Sequence, residues 1–249
     1  MDYQREAIAA RRIVVEMIYK AGSSHIGSCL SAIDILTVLF LGVMKKEDRF
    51  ICSPGWKAAA IYYFLARTGV FPMKDLETYN MEGSDMIGLL SAKVPGVLAS
   101  CGAAGHGLPI ALGIAKAKKM KGKKGDVYCL MSDGEMNCGT TWESAALAAH
   151  SKLDNLTVLI DKNELQATGT TKEVLDMENL GDKWISFNWD VLDEINGHDF
   201  DAIKATLNYK HRIPKCLIFD TVKGKGVSFM EAEGLKWHYQ NISQPEYER

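Results

Sequence analysis

The sequence has almost no net charge: 29 Lys and Arg stand against 31 Asp and Glu, a formal charge of −2. This near-balance removes the electrostatic case for nucleic acid or an anionic membrane as a partner. One basic cluster, Lys116, Lys118, Lys119, Lys121, Lys123 and Lys124, precedes an apolar stretch and reads as a solvated helix end followed by a turn. No run of about 18 apolar residues occurs, so no membrane span is expected. The opening MDYQREAIAARR lacks the apolar core of a secretory signal. Six cysteines (Cys29, Cys52, Cys101, Cys129, Cys138 and Cys216) are scattered with no Cys-x-x-Cys pair among them. Reduced thiols in the cytoplasm are therefore expected, and neither a disulfide framework nor a zinc site. Low-complexity linkers, repeats and heptad arrays are also missing.

What remains is an ordinary globular composition, 47% hydrophobic and 24% charged, with apolar mass enough for a sizeable core. Apolar spacing predicts amphipathic helices over Arg5–Tyr19 and Ser31–Val43. Val127–Met131 and Leu156–Ile160 read as buried strands on either side of a helix over Thr141–Ser151. An apolar segment over Trp189–Ile195 follows, then a helix from near Asp199 and a strand over Cys216–Asp220. Such alternation predicts an α/β fold of three layers, a mostly parallel central sheet with helices on both faces. Ligands of these sheets sit beyond the carboxyl ends of the strands.

Two strand ends carry chemistry. Val127–Met131 runs into Ser132-Asp133-Gly134, and Leu156–Ile160 runs into Asp161-Lys162-Asn163-Glu164-Leu165. The 29 residues between Asp133 and Asn163 can hold one crossover helix, so the two side chains can converge. A hard cation such as Mg²⁺ wants oxygen ligands and usually shares them with phosphates. Taken alone, the same two residues also suit turns and helix caps. A small-residue loop, Gly102-Ala103-Ala104-Gly105-His106-Gly107, opens an Ala-rich helix and suits backbone amides aimed at an anion. Close helix packing accounts for it equally well, and its spacing is not that of a dinucleotide loop.

Asp-Gly, a crossover helix, then a strand ending in Asn resembles the thiamine-diphosphate signature of Gly-Asp-Gly followed by Asn. The segment WESAALAAHSKLDNLTVLIDKNELQATG is similar to its transketolase version. AGSSHIGSCLSAIDIL, DRFICSPGWKAA, PGVLASCGAAGHGLPIALGIA and DTVKGKGVSFME with Trp237-His238 resemble further transketolase segments in the same order. The resemblance implies a thiamine-diphosphate-binding fold and the cofactors thiamine diphosphate and Mg²⁺. The metal would be held by the Asp133 and Asn163 side chains and the Leu165 carbonyl. Gly102, Ala104, Gly105, His106, Gly134 and His238, with Asp133 and Asn163, would form the cofactor site. His25, His238 and His106 are the implied catalytic residues, whereas His150, His198 and His211 are expected to be structural or surface groups.

Several positions depart from that pattern. Ser132 replaces the first glycine of the signature. Trp56 and Leu89 stand where the family has histidines, and Cys138 where it often has a glutamate linking two active sites. Lys57 offers a replacement cation near Trp56. The implied reaction is transfer of a two-carbon ketol unit from a ketose to an aldose. A 2-oxo acid decarboxylase or carboligase subunit with a modified pocket, or a non-catalytic cofactor-binding subunit, are the alternatives. Because the family's activating glutamate lies in a following domain, residues 1–249 are expected to form one diphosphate-binding domain. The pyrimidine-binding and C-terminal domains are then expected on a separate chain, with an α₂β₂ assembly and a sugar or sugar-phosphate substrate.

Overall fold

The computed structural model describes residues 1–249. Five strands form its sheet: β1 Arg49–Cys52, β2 Val127–Ser132, β3 Leu156–Lys162, β4 Asp190–Asn196 and β5 Lys215–Asp220. Their spatial order is β1-β2-β3-β5-β4, and every neighbouring pair is parallel. Parallel neighbours require crossovers, which the helices supply. α1 Tyr3–Lys20, α2 Ile26–Ser31 and α3 Ile33–Val38 precede β1. α4 Ala58–Arg67 and α5 Gly107–Met120 link β1 to β2, and α6 Gly139–His150 links β2 to β3. α7 Thr171–Leu175 and α8 Leu180–Ser186 lead to β4, α9 Phe200–Leu207 leads to β5, and α10 Ser228–Ala232 and α11 Gln244–Glu248 follow.

Side-chain alternation along the central strands divides the interior into two cores. Tyr128 and Leu130 of β2 join Leu159, Leu217 and Phe219 beneath α1 to α4 and α9. Val127, Cys129 and Met131 face the other way, with Val158, Ile160, Cys216 and Ile218, beneath α5, α6 and α8. A strand buried on both faces reads as a continuous apolar run, which is how β2, β3 and β5 appear in the sequence. The three-layer expectation therefore holds. No helix is long and apolar enough to cross a membrane.

α1 follows its amphipathic pattern, burying Ala7, Ala10, Val14, Met17 and Ile18, and starts where the Asp2 side chain accepts the Arg5 N–H at 3.0 Å. The helix expected over Ser31–Val43 is corrected. The segment begins earlier, at Ile26, breaks near Ala32, and closes in a π-helical turn over Leu39–Val43. Every residue from Ile26 to Leu39 is buried, so no polar stripe marks where the helices start or break.

Leu130 lies in a central strand with no exposed surface. Replacing Leu130 by Ala is expected to cost about 2–5 kcal/mol of folding stability, the usual range for a core cavity. Urea unfolding measures this as a lowered midpoint with an unchanged slope.

Candidate active site

The segments that follow the carboxyl ends of β1, β2 and β3 line one cavity of about 400 Å³. Among the candidates from the sequence, His25, Gly102, Ala104, Asp133, Gly134, Asn163, Leu165 and His238 line it. Gly105 and His106 do not. His106 is exposed, and its Nδ1 lies 3.0 Å from the carbonyl of Ala104. His106 stands at the start of α5, outside the walls of this cavity. A larger hollow of about 610 Å³ lies elsewhere, walled mostly by side chains such as Phe40, Phe50, Ile61 and Leu65. It contains none of these groups.

The loops are tied together by Glu135, which is almost fully buried. Its Oε2 accepts the Ser132 N–H at 2.8 Å and the Ser132 hydroxyl at 3.2 Å, a capping box just past β2. Its Oε1 accepts the Gly105 N–H at 2.9 Å and the Ser53 hydroxyl. Burial raises the Glu135 pKa, and these four donors act against that rise. Gly105 has φ +76°, and a Cβ there would lie 2.6 Å from Cβ of Cys138. Cys138 accordingly packs on this loop and does not line the cavity. At Gly55 a Cβ would come within 1.8 Å of the Cys101 carbonyl oxygen, so the two loops touch only because that residue is glycine.

Asp133 is a second buried acid of the cavity. Its Oδ1 accepts the Gly134 N–H at 2.8 Å, and its Oδ2 accepts the Glu164 N–H at 2.6 Å. Burial, together with the charge of Asp161, pushes its pKa up to about 7. Asn163 Oδ1 accepts the Leu165 N–H at 3.2 Å, which folds the strand end back on itself. No group of three or more His, Cys, Asp or Glu side chains is arranged to hold a metal. One carboxylate, one amide oxygen and one carbonyl would therefore need oxygens from a ligand to fill an octahedral shell. Beside Gly134, the buried Nε2 of Gln166 has no hydrogen-bond partner. An anionic ligand would satisfy that donor, so the donor set fits Mg²⁺ with a diphosphate.

Across the cavity stand the two histidines. His25 adopts φ +68°, a left-handed conformation rare outside glycine. Its N–H donates to the His238 carbonyl at 3.1 Å, and the two rings meet edge to face at 5.2 Å. Burial, then the charges of Lys223 and Lys57, lower the His25 pKa. His238 is lowered to about 3 by burial, Lys223, His25 and Lys57. Trp56, Leu89 and Tyr239 line the mouth, with the Trp56 ring 6.4 Å from that of His25.

Lys57 is not the free replacement cation suggested by its position. It is 1% exposed, with Nζ 2.5 Å from Asp161 Oδ2 and 2.5 Å from the Ser28 carbonyl. Burial is the largest single effect on each partner and favours its neutral form, but the opposite charge and the hydrogen bonds together outweigh it, so Lys57 is raised and Asp161 lowered. His198 plays the structural part expected of it. Its Nδ1 lies 2.8 Å from Asp34 Oδ2, and its Nε2 accepts the Val222 N–H at 2.9 Å. His150 is exposed, and His211 Nδ1 lies 2.7 Å from the Ile213 carbonyl. Gln166, Tyr239 and the buried Lys223 were not singled out from sequence. Lys223 follows β5 much as Asp133 follows β2, and that position was the available signal.

The family model described as transketolase, thiamine diphosphate binding domain, matches residues 3–246. An apulose-4-phosphate transketolase subunit from Phocaeicola vulgatus is 39% identical, over 96% of this chain and 88% of that protein. The 6-deoxy-6-sulfo-D-fructose transketolase subunit SqwG of a Clostridium species is 33% identical, over 94% of this chain and 89% of that protein. The crystal structure of transketolase from Campylobacter jejuni superposes with a TM-score of 0.91 at 28% identity. The match covers 98% of this chain but only 41% of that one.

Removing one partner of a buried ion pair strands the other charge. Lys57→Met is expected to destabilise the fold by about 3–5 kcal/mol. In the Lys57→Met/Asp161→Asn double variant the loss should fall short of the summed single losses by about 0.5–3 kcal/mol. Denaturant unfolding of the three variants measures this coupling, and strictly additive losses would show that the pair is not coupled.

Proposed function

The chain belongs to the transketolase thiamine diphosphate binding domain family, and on that footing we propose that it is the diphosphate-binding subunit of a split transketolase. It would move a two-carbon ketol unit from a ketose donor to an aldose acceptor. The observation that carries this reading is the convergence of Asp133, Asn163 and the Leu165 carbonyl, at adjacent strand ends, on the cavity shared with Gly102 and Ala104. In that arrangement Asp133, Asn163 and Leu165 hold Mg²⁺. Gly102, Ala104 and Gly134 let the backbone approach the diphosphate, and Gln166 offers its unpaired amide. Bound there, thiamine diphosphate supplies the nucleophilic carbon and the electron sink for carbon–carbon cleavage.

The chain's own residues hold and orient the sugar. His25 and His238 face the cavity as neutral imidazoles at pH 7, because burial and two lysines disfavour their charged forms. Neutral imidazoles hydrogen-bond carbonyl and hydroxyl groups without placing another cation beside the metal. Trp56, Leu89 and Tyr239 give the mouth an apolar rim, which suits the C–H face of a sugar and helps exclude water. This differs from a pocket lined with histidines and points to a substrate with fewer polar groups at that end.

The partner belongs to the same reading. Relatives of similar length are called subunits, which supports residues 1–249 as a single diphosphate-binding domain. The pyrimidine-binding and C-terminal domains would lie on a second chain, in an α₂β₂ complex. The six free thiols support a reducing compartment, the cytoplasm.

Calorimetric titration of thiamine diphosphate with Mg²⁺ should show tight, metal-dependent binding once the co-encoded partner is present. Asp133→Ala is expected to weaken it by about 100-fold or more, the upper end of what losing even an outer-shell partner costs. Unchanged affinity in that variant would remove the metal assignment. Wild-type complex should transfer a ketol unit to an aldose; release of carbon dioxide from a 2-oxo acid, without such transfer, would replace this reading with a decarboxylase.

A further inference from the structure

We infer that Tyr239 is a specificity-determining residue: with Trp56 it makes an apolar slot over His25 that favours aldehyde acceptors carrying no hydroxyl on the carbon next to the carbonyl. The choice of acceptor rests on the ketol-transfer reading, whereas the slot does not. Both rings line the cavity and stand beside the same imidazole. The Tyr239 ring meets His25 edge to face at 5.5 Å and His238 at 4.6 Å, and the Trp56 ring lies 6.4 Å from His25. Leu89 and Ala167 extend the apolar lining.

Tyr239 is 61% exposed, yet the chain on both sides of it is anchored. Before it, the His238 carbonyl accepts the His25 N–H at 3.1 Å. After it, Asn241 Nδ2 donates to the Gly22 carbonyl at 2.8 Å. Trp237 has no exposed surface and packs on Phe229. A ring fixed from both flanks but left uncovered over a cavity is placed to meet a ligand. Trp56 is fixed as well, between the Gly55 carbonyl, which accepts the Leu90 N–H at 3.0 Å, and the buried, ion-paired Lys57.

An oxygen bonded to an imidazole lies about 3 Å from its nitrogen. A substrate carbonyl held by His25 or His238 therefore puts its neighbouring carbon between the two aromatic walls. A hydroxyl on that carbon would lose water without gaining a partner from Trp56, Leu89 or the Tyr239 ring, whereas a methyl group would gain contact. The polar side chains of the lining, such as Asp133, Asn163 and Gln166, follow β2 and β3 and stand on the side proposed for the metal. Lys57 is the only lysine or arginine of the lining, and Asp161 already holds it. A phosphate or sulfonate end of the substrate thus finds no free cation here and points away from the slot.

Glycolaldehyde and propanal are alike in size and differ only in a hydroxyl or a methyl on that carbon. In the complex with the partner, thiamine diphosphate, Mg²⁺ and a ketose donor, wild-type kcat/KM should be about 10–100-fold higher for propanal, the scale on which an apolar pocket separates such a pair. Tyr239→Ala should lower that preference about 10-fold, mainly through KM for propanal, and Tyr239→Phe should keep it. The ratio measured on one preparation does not depend on how much of a variant folds. A wild-type preference for glycolaldehyde, or an unchanged ratio in Tyr239→Ala, overturns the proposal. A second readout is ¹⁹F NMR of the complex carrying 5-fluorotryptophan in this chain, with Trp56 assigned by its loss in Trp56→Phe. Propanal should shift the Trp56 signal at a lower concentration than glycolaldehyde does, and equal or absent shifts overturn the slot. Failure of the wild type to transfer a ketol unit to either aldehyde would remove the functional reading, while the ¹⁹F titration still decides the slot.

Discussion

Lys57 and Asp161 face each other almost without water, and the loops around the cavity depend on that contact. Asp161 lies in β3, one residue before the strand's end. Its Oδ2 accepts from Lys57 at 2.5 Å and from the Ser31 hydroxyl at 2.6 Å, while Oδ1 accepts from Thr221. Lys57, from the segment after β1, also reaches the Ser28 carbonyl of α2. One carboxylate therefore gathers the ends of β1, β3 and β5 and the helix beside them. Its electrostatic influence extends further. Asp161 adds to the burial that raises Asp133, Lys57 acts the other way, and Lys57 helps keep His25 and His238 neutral. Loss of either charge would alter geometry and protonation together.

Much of the scaffold was legible because its physics leaves a pattern. Apolar runs over β2, β3 and β5 announce strands buried on both faces, and the 3.6-residue stripe of α1 announces a helix with one wet side. Asp133 and Asn163 could be placed because chemistry at strand ends is where a parallel sheet puts it. Other elements left no such mark. β1 has only four residues and begins on exposed Arg49. α4 buries every residue from Ala58 to Ala66, and α2 and α3 are likewise enclosed, so apolar periodicity vanishes.

The cationic part of the site was harder to read. Lysine is normally a surface residue, and nothing local announces that Lys57 and Lys223 are both about as buried as the core leucines. Their burial is set by long-range partners: Asp161 for one, His238 and two carbonyls for the other. His106, in turn, stands on the surface. Its sequence context is that of a ligand loop, but the N–H that points inward there belongs to Gly105, and it is already taken by Glu135. Trp56 and Leu89 occupy the rim. They line the cavity without bonding Asp133 or Asn163, so the rim can change while the strand ends behind it keep their arrangement.

Arg11 of α1 donates to Asp34 at 2.6 Å and to the Lys225 carbonyl at 2.8 Å, while Asp34 also meets His198, which in turn takes the Val222 N–H. The helix that carries Arg11 is thereby fastened to the turn that carries Lys223, more than two hundred residues later. On a ribosome these partners are made far apart in time. Arg11 can meet Asp34 early, but its tie to the Lys225 carbonyl waits until β5 and the turn after it emerge, and a site spanning both cannot assemble on a partial chain. Closure of such distant contacts makes folding slow relative to local helix formation. The nascent protein thus carries an unfinished cofactor pocket through the whole interval that separates the two segments.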